Sequence, residues 1–323
     1  MKVLVVMPFQ QAHKTYLEGL DSGCSFEYTT IQEATREQIC GADIILGNAN
    51  PQLVAQSENL KWIQLNSAGS DAYCKPGIIK PGTLLTCATG AYGLTVSEHL
   101  VSMSCMLCRK MDLYMRNQLQ HRWQAEGSVT SVWNSTTLVV GLGDIGTEYA
   151  KRMKALGSHV IGIRRRVTDK PDCVDELYGM DRLDEMLPRA DFVALILPST
   201  PQTHHIIDER RMRRMKKGAY LLNGGRGDAV DCEALSRLLR EGETLGGAAL
   251  DVTEPEPLPA AHPLWDAPRC IITPHVAGNF HLQETFERIV RITGENFEKF
   301  LTGDLEHMRN IVIPAVGCSD LQK

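Results

Sequence analysis

The stretch that decides the fold is "TLVVGLGDIGTEYAKRMKALGSHVIGIRRR", which spans residues 137–166. An apolar strand leads into a glycine turn at Gly141, Gly143 and Gly146, a helical segment follows, and a second apolar strand ends before Arg164. Glycines at this spacing allow a tight turn, close approach of a pyrophosphate and close packing of helix on strand. The helix N-terminus offers N–H groups to the phosphates. The order of these elements therefore predicts a dinucleotide-binding βαβ unit.

An arginine cluster stands where this type of site normally carries an acidic residue for the adenosine ribose. Arg164, Arg165 and Arg166 follow the second strand, and Arg164 lies 164 − 146 = 18 residues after Gly146. A carboxylate repels a 2′-phosphate, whereas guanidinium groups bind it. The pattern favours NADP(H) as the preferred cofactor, with NAD possible; a solvated basic loop is the alternative.

Apolar runs alternate with amphipathic helical segments along all 323 residues. One long helix is predicted over about 95–119 and another over 284–301. Regular alternation with continuous apolar strands predicts parallel sheets covered by helices on both faces, an α/β fold. Ten strands are predicted, at 3–6, 43–46, 62–65, 84–87, 138–140, 160–163, 192–197, 219–222, 247–250 and 270–273.

Composition limits the partners that the chain can have. The hydrophobic fraction of 43% and the charged fraction of 23% are ordinary for a globular protein. A net charge of −5 gives no reason to expect nucleic acid or membrane binding, and no apolar run reaches membrane-spanning length. Ten cysteines without a paired framework favour a reducing compartment, so a cytoplasmic location is expected.

Two short motifs have a structural interpretation and a functional one. Cys105 and Cys108 form a C-x-x-C inside the predicted long helix, which favours core thiols over a metal or redox site. The adjacent His204 and His205 are expected to point to different sides of the chain.

A second glycine-rich stretch, "YLLNGGRGDAVD" (220–231), surrounds Arg226 with Gly224, Gly225 and Gly227. Glycine tolerates positive φ and lets a ligand approach the backbone, and an arginine fork can hold a carboxylate through two hydrogen bonds. A solvated arginine in a tight turn is the alternative. "GGAALDVTEPEPLP" and "CIITPHVAGN" also place ionisable residues just beyond a strand, at the carboxyl edge where open α/β sheets bind ligands.

With "LKWIQLNSAGSD", "GLGDIG", "LPSTPQT", "LLNGGRGDAVD", "ALDVTEPEP" and "TPHVAG", the chain resembles the D-isomer-specific 2-hydroxyacid dehydrogenases over nearly its whole length. It is similar in particular to the glyoxylate/hydroxypyruvate reductases. The resemblance implies two Rossmann-like or flavodoxin-like parallel-sheet domains with an active-site cleft between them. Residues 1–97 and 285–323 would form the substrate domain and residues 98–284 the dinucleotide-binding domain, and a homodimer is implied.

The resemblance also implies catalytic roles. Arg226 would bind substrate, Glu256 would be the acidic partner and His275 the acid/base. Glu254 competes with Glu256, although the family's glutamate follows the aspartate at the strand end by five positions, and 251 + 5 gives 256. The backbone N–H groups of Ser67, Ala68 and Gly69 would face the substrate carboxylate.

The implied cofactor-binding residues lie in several loops, and Asp251 among them would hold the nicotinamide amide. "HVAGNF" lacks the hydroxyl residue common a few places after the family histidine, which could alter the contacts with the nicotinamide. Besides the arginine cluster, the expected set is Gly141, Gly143, Asp144, Ile145, Gly146, Leu197, Pro198, Thr203, Gly224, Gly225, Asp251, His275 and Gly278.

These residue types suit the reduction of a small 2-oxo acid of the glyoxylate or hydroxypyruvate type to a D-2-hydroxy acid. Negative charge grows on the carbonyl oxygen as hydride arrives, and a protonated His275 can donate to it while Glu256 orients the ring. No metal is required. The alternative function is a dinucleotide sensor that binds a protein partner without significant catalysis. Formate or phosphite oxidation is a further rival, but the Glu256–His275 pair favours 2-hydroxy acids.

Overall fold

The computed structural model describes residues 1–21, 23–167 and 169–314 and the backbone of Leu321–Gln322. The chain divides into two compact units. Unit 1 consists of Met1–Tyr92 and Phe280–Lys323, and unit 2 of Gly93–Asn279. None of the helices in the described ranges is both long enough and apolar enough to cross a lipid bilayer.

Unit 1 is built on a seven-stranded sheet of order β14-β13-β5-β4-β3-β1-β2. Its pairs are parallel except for β13, which runs antiparallel to β5 and to β14. The strands are β1 (Lys2–Val5), β2 (Ser25–Tyr28), β3 (Ile44–Leu46), β4 (Trp62–Gln64), β5 (Leu84–Thr86), β13 (Ile311–Val312) and β14 (Leu321–Gln322). The helices are α1 (Gln11–Leu20), α2 (Arg36–Gly41), α3 (Pro51–Val54) and α10 (Gln283–Thr302).

A buried polar network fixes α10 in unit 1. Asn296 is fully buried, and its side-chain amide donates to Gln64 Oε1 on β4 at 2.8 Å and to the Arg309 carbonyl at 3.0 Å. Asn296 Oδ1 accepts from the Arg309 backbone N–H at 2.7 Å. Because buried polar groups are costly unless they are hydrogen-bonded, this network determines how α10 lies on the sheet.

Unit 2 is built on a second seven-stranded sheet, of order β12-β11-β10-β9-β6-β7-β8, in which every pair is parallel. The order reverses between β6 and β9, which is where open α/β sheets bind ligands. The strands are β6 (Thr136–Val140), β7 (His159–Ile163), β8 (Glu176–Tyr178), β9 (Phe192–Leu195), β10 (Ala219–Asn223), β11 (Leu245–Leu250) and β12 (Cys270–Ile272).

The helices of unit 2 are α4 (Gly93–Cys108), α5 (Met111–Leu119), α6 (Asp144–Ala155), α7 (Leu183–Met186), α8 (Glu209–Arg214) and α9 (Cys232–Glu241). The single long helix predicted over 95–119 is wrong, because the chain breaks at Lys110, whose φ is 56°. The Lys110 ammonium donates to the Glu126 carbonyl, and Asp112 of α5 pairs with Arg269, so contacts outside the helix redirect it.

The predicted α/β fold with two parallel-strand sheets is confirmed, and all ten predicted strands are present to within two residues at each end. Of the two cysteines predicted as core thiols, both on α4, Cys108 is buried and Cys105 is half-buried. Burial raises the pKa of both thiols.

Candidate active site

The strands of unit 2 end in register, so the loops that follow them start side by side along one edge of the sheet. The last residue of each strand is paired with the last residue of the adjacent strand, in the order Ile163, Val140, Leu195, Asn223, Leu250 and Ile272. The predicted site residues of unit 2 follow these positions directly or within a few residues along the chain. The candidate site is therefore this carboxyl edge.

The three glycines of the turn between β6 and α6 have different steric surroundings. Gly141 has φ +103°, and a Cβ there would lie 2.1 Å from the Ile196 carbonyl oxygen. A Cβ at Gly146 would lie 1.9 Å from the Gly141 carbonyl oxygen, so the start of α6 packs directly on the turn. A Cβ at Gly143 would meet nothing within 4 Å. The turn thus leaves open space at Gly143, beside the N-terminus of α6, where a pyrophosphate would fit.

Asp144 and Ile145, which lie between Gly143 and Gly146, have different surroundings. A Cβ at Gly93 would lie 2.7 Å from Asp144 Oδ1, so the Asp144 carboxylate lies against the first residue of α4. This position suits a carboxylate, because helix N-termini carry partial positive charge. Ile145 is half-buried. The Asp144 side chain therefore lies against the start of α4 within unit 2.

The arginine cluster begins directly after β7. Arg164 is half-buried, and its Nε donates to the Arg166 carbonyl at 2.7 Å. Arg165 and Arg166 are exposed. The side chain of Arg164 is thus bonded to the backbone of its own loop at the end of the second strand.

The loop after β9 is closed by its own side chains. Thr203 is buried, and its hydroxyl donates to the Pro198 carbonyl at 2.7 Å. Leu197 is buried, and a Cβ at Gly225 would lie 2.6 Å from the Leu197 nitrogen. The loops after β9 and β10 are therefore in backbone contact.

The glycines around Arg226 are required for packing and not for positive φ, so that part of the prediction is wrong. None of Gly224, Gly225 and Gly227 has φ in the left-handed region. A Cβ at Gly227 would lie 1.9 Å from the Thr253 carbonyl oxygen, because the loops after β10 and β11 also touch.

Asn223, which sequence reasoning missed as a functional residue, shapes the Arg226 loop. Its side chain is fully buried, accepts from the Gly225 N–H at 3.1 Å and donates to the Arg226 carbonyl at 2.9 Å. Arg226 is half-buried, and its Nη1 donates to the Gly225 carbonyl at 2.9 Å. The Asn-Gly dipeptide was the available signal, since it is typical of turns.

The structure brings Glu256 and His275 together and separates Glu254 from them. His275 Nδ1 lies 2.6 Å from Glu256 Oε1, and the two side chains are 48% and 44% exposed. Glu254 instead lies 2.8 Å from His205 Nε2. Of the two glutamates, Glu256 is therefore the acidic partner of His275.

The turn that carries His275 is held by Asp251. His275 has φ 51°, and its backbone N–H donates to the Asp251 carbonyl at 2.8 Å. The buried Asp251 carboxylate accepts from the Thr273 hydroxyl at 2.6 Å, the Val276 N–H at 3.0 Å and the Ala277 N–H at 3.1 Å. The groups that donate to the Asp251 carboxylate are thus all parts of the protein itself. The expected contact between Asp251 and a nicotinamide amide stays a prediction.

His99 on α4 extends this network, which the sequence did not indicate. Its Nε2 lies 3.0 Å from the Thr273 hydroxyl and 3.7 Å from Asp251 Oδ1. Gly278 is half-buried at the end of the same turn. The first turns of α4 and the His275 turn are therefore linked through hydrogen-bonding side chains.

In unit 1, two asparagines frame the loop of Ser67, Ala68 and Gly69. Asn48 and Asn66 accept from each other's backbone N–H at 3.0 and 2.7 Å, and the Ser67 hydroxyl donates to the Gly69 carbonyl at 2.6 Å. The three residues are half-buried, and within the described ranges their backbone N–H groups donate to no protein acceptor. The loop thus offers N–H groups that could bind an anion.

His204 and His205 do not point to different sides of the chain, so that expectation is wrong. Their rings stack with centroids 4.1 Å apart. The reason is that His205 adopts φ 45°, so the extended geometry that separates neighbouring side chains does not apply.

Comparison with known proteins adds independent evidence. The sequence model of "D-isomer specific 2-hydroxyacid dehydrogenase, NAD binding domain" matches residues 101–277, more than half of the chain. A glyoxylate reductase from Thermofilum pendens is 32% identical over 81% of this chain and 78% of its own length. An (S)-sulfolactate dehydrogenase from Chromohalobacter salexigens is 31% identical over 87% of this chain and 92% of its own length.

A solved structure supports the same relationship over both units. The crystal structure of a D-isomer specific 2-hydroxyacid dehydrogenase family protein from Aeromonas salmonicida has a TM-score of 0.82 and 30% identity, and the match covers 97% of this chain and 99% of that one. The resemblance stated from the motifs is thereby confirmed: the chain belongs to the D-isomer specific 2-hydroxyacid dehydrogenase family.

Proposed function

We propose that the chain reduces small 2-oxo acids of the glyoxylate or hydroxypyruvate type to 2-hydroxy acids, of D configuration where the product is chiral, with NADP(H) as the preferred cofactor. The observation that carries the proposal is the 2.6 Å contact between His275 Nδ1 and Glu256 Oε1 at the carboxyl edge of the second sheet. A histidine oriented by a carboxylate is suited to moving a proton.

The contact at Nδ1 assigns the roles of the two ring nitrogens. In the imidazolium, the Nδ1 proton is held by Glu256, so the Nε2 proton is the one available to a substrate oxygen. A bound nicotinamide supplies the hydride for the carbonyl carbon. His275 then delivers its Nε2 proton to the oxygen on which negative charge develops, and the neutral ring keeps its bond to Glu256.

Arg226 is the proposed ligand of the substrate carboxylate. Its planar guanidinium carries donors in a fork that matches a carboxylate and can also polarise a neighbouring carbonyl. The Asn223 side chain and the tightly packed glycines fix the backbone on either side. In unit 1, the N–H groups of Ser67, Ala68 and Gly69 are proposed to bind a carboxylate as well.

The preference for NADP(H) rests on Arg164, Arg165 and Arg166. A 2′-phosphate carries close to two negative charges near neutral pH, and charge-assisted hydrogen bonds to it contribute roughly 1.5–3 kcal/mol each when well formed. At about 1.4 kcal/mol per tenfold, one or two contacts favour NADPH over NADH by roughly tenfold to a thousandfold. The exposure of Arg165 and Arg166 argues for the lower end, and added salt should reduce the preference.

A screen of 2-oxo acids tests the reaction. Glyoxylate, hydroxypyruvate, pyruvate and sulfopyruvate are each offered with NADPH or NADH, and nicotinamide absorbance is followed. Turnover of a small 2-oxo acid is expected. If no 2-oxo acid reacts with either cofactor while the protein binds a protein partner, the proposal fails and the sensor function replaces it.

The cofactor preference has its own variant. Replacing Arg164→Asp together with Arg165→Ser should raise the Michaelis constant for NADPH and narrow its advantage over NADH. Arg182→Ser is the matched control, since Arg182 is an exposed arginine of the same unit that pairs with Glu185. Equal specificity constants for both cofactors in the unmodified protein would contradict the preference.

We also propose a homodimer that uses α5 and the segment after it. Large apolar side chains are exposed there: Leu119 is 83% exposed, Trp123 104% and Trp133 72%. Exposed large apolar side chains are common at subunit interfaces, and a second copy of the chain would remove these three from water.

A further inference from the structure

Two loops at the carboxyl edge of the second sheet place two histidines and a glutamate together. His204 and His205 lie between β9 and α8, and Glu254 lies between β11 and β12. His205 Nε2 is 2.8 Å from Glu254 Oε2, and His204 Nε2 is 3.7 Å from Glu254 Oε1. One ligand atom from each residue lies within 4.8 Å of the others. We refer to the three residues as the histidine–glutamate cluster.

The backbone is what makes this cluster possible. In an extended chain, successive side chains point in opposite directions. His205 instead has φ 45°, and its N–H donates to the Asp228 carbonyl at 2.7 Å. The two rings therefore lie nearly parallel, with an interplanar angle of 25°. A left-handed residue other than glycine costs free energy, so contacts such as the Asp228 bond must maintain the conformation that brings both Nε2 atoms to one carboxylate.

We propose that the histidine–glutamate cluster binds a divalent transition-metal ion such as Zn²⁺. Zn²⁺ takes imidazole nitrogen and carboxylate oxygen at about 2.0–2.2 Å in tetrahedral sites, which places ligand atoms roughly 3.4 Å apart. The two distances to Glu254, 2.8 and 3.7 Å, lie on either side of that spacing. Because the two imidazole rings are stacked, they must turn about their side-chain torsions for both Nε2 lone pairs to converge on one ion.

The donor set and its exposure fit this class of ion. Two neutral imidazoles and one carboxylate favour Zn²⁺, Co²⁺ or Ni²⁺ over Mg²⁺, which prefers oxygen ligands. The side chains of His204, His205 and Glu254 are 52%, 39% and 41% exposed, so an ion can enter from solvent and water can complete its coordination. A bound metal ion would connect the loop of His204 and His205 with the loop after β11. It would hold the second loop at Glu254, two residues before Glu256.

The chain contains a natural control. Asp304, Glu306 and His307 also bring three possible ligand atoms within 4.8 Å of one another, but with one histidine and with all three residues exposed. Imidazole ligands dominate affinity for transition metals, so this second group should bind Zn²⁺ much more weakly.

The test is a calorimetric titration of the full chain with Zn²⁺, with Co²⁺ absorption as a second readout. The unmodified protein should bind one equivalent at the cluster. His204→Ala and Glu254→Gln should each weaken this binding by at least about tenfold, while His307→Ala should leave it unchanged. Circular dichroism checks that each variant is folded, and Glu254→Gln keeps the side-chain shape if His204→Ala is poorly behaved.

Three results would overturn the proposal. The first is no Zn²⁺ binding by the unmodified protein at millimolar metal. The second is binding that neither His204→Ala nor Glu254→Gln weakens. The third is a thiolate-to-Co²⁺ charge-transfer band, which would assign the metal to a cysteine.

Discussion

At the scale of single residues, the two glutamates of "TEPEP" have the same side chain and stand two positions apart, yet they face different histidines. Glu256 contacts His275, and Glu254 contacts His205. The spacing of five positions after Asp251 favours Glu256 only through the family resemblance. The residues alone are compatible with either glutamate as the partner of His275. The choice depends on how the loop after β11 runs, which no local pattern encodes.

Removing the charge of Glu256 tests its proposed role. Glu256→Gln should lower kcat by at least about tenfold, because an amide holds the His275 ring less well in its protonated form. His275→Ala should lower kcat by roughly 100- to 10,000-fold, the usual contribution of a positioned acid. Steady-state kinetics with the best 2-oxo acid from the screen measure both.

A second histidine–glutamate contact provides the control. Glu233 Oε1, on α9, lies 3.3 Å from His262 Nε2 and does not contact His275 in the described structure. Glu233→Gln should leave kcat unchanged. If Glu256→Gln is as active as Glu233→Gln, Glu256 has no part in proton transfer.

At the scale of elements, the turn between β6 and α6 shows how three similar glycines can have different functions. The spacing predicted the turn, and the contacts distinguish the residues: Gly146 is confined by the Gly141 carbonyl, whereas Gly143 faces open space. The sequence could not make this distinction, since it depends on the distance between α6 and the strand end.

Alanine at each position should therefore have a different effect. Gly146→Ala should destabilise the fold by roughly 1–3 kcal/mol, because the backbone must move to admit the methyl group. Gly143→Ala should keep the melting temperature but raise the Kd for NADPH on the order of tenfold, since the methyl group enters the space for the pyrophosphate. Thermal unfolding and fluorescence titration separate the two; equal effects on stability would contradict the steric account.

The edge strand β8 carries a charge network with a defined pH dependence. Glu176 accepts two bonds from Arg189 at 2.5 and 3.0 Å and lies 2.6 Å from the Tyr178 hydroxyl and 2.7 Å from His159 Nε2. These partners, Arg189 above all, lower the pKa of Glu176 to about 2. Because the folded-state pKa lies below the unfolded value, the network stabilises the fold above about pH 4.5, and this is lost as pH falls towards 2.

Glu176→Gln should therefore lower the melting temperature at pH 7, and its difference from the unmodified protein should shrink between pH 4.5 and 2. Glu185→Gln is the control, because Glu185 forms an exposed pair with Arg182 that contributes little at any pH. A deficit of Glu176→Gln that persists undiminished near pH 2 would mean that shape, not charge, stabilises β8.

At the scale of the whole molecule, the sequence predicted what depends on continuous apolar runs and missed what depends on short or exposed segments. The ten predicted strands are mostly buried, whereas β2 and β8 are partly exposed edge strands and β13 has two residues. The break between α4 and α5 was missed because its causes, Glu126 and Arg269, lie 16 and 157 residues from the groups that they bind.

The proposed homodimer gives a prediction at this scale. The unmodified protein should have about twice its chain mass of 35.8 kDa by light scattering. Leu119→Lys should shift the mass towards that of the monomer, because a charge buried in an apolar interface is costly. Leu305→Lys, at a leucine that is 39% exposed on unit 1, should not change the mass. A monomer mass for the unmodified protein at all concentrations would rule the dimer out.

Unit 2 is one uninterrupted piece of chain, whereas unit 1 is assembled from two pieces. The glycine turn, the arginine cluster, Arg226, Glu256 and His275 all lie inside that single piece. Recombination of the gene at two points, near codons 93 and 279, can therefore transfer the proposed cofactor site and the proton-transfer pair together. The flanking sequence, with the Ser67–Gly69 loop, is then free to diverge without breaking that set apart.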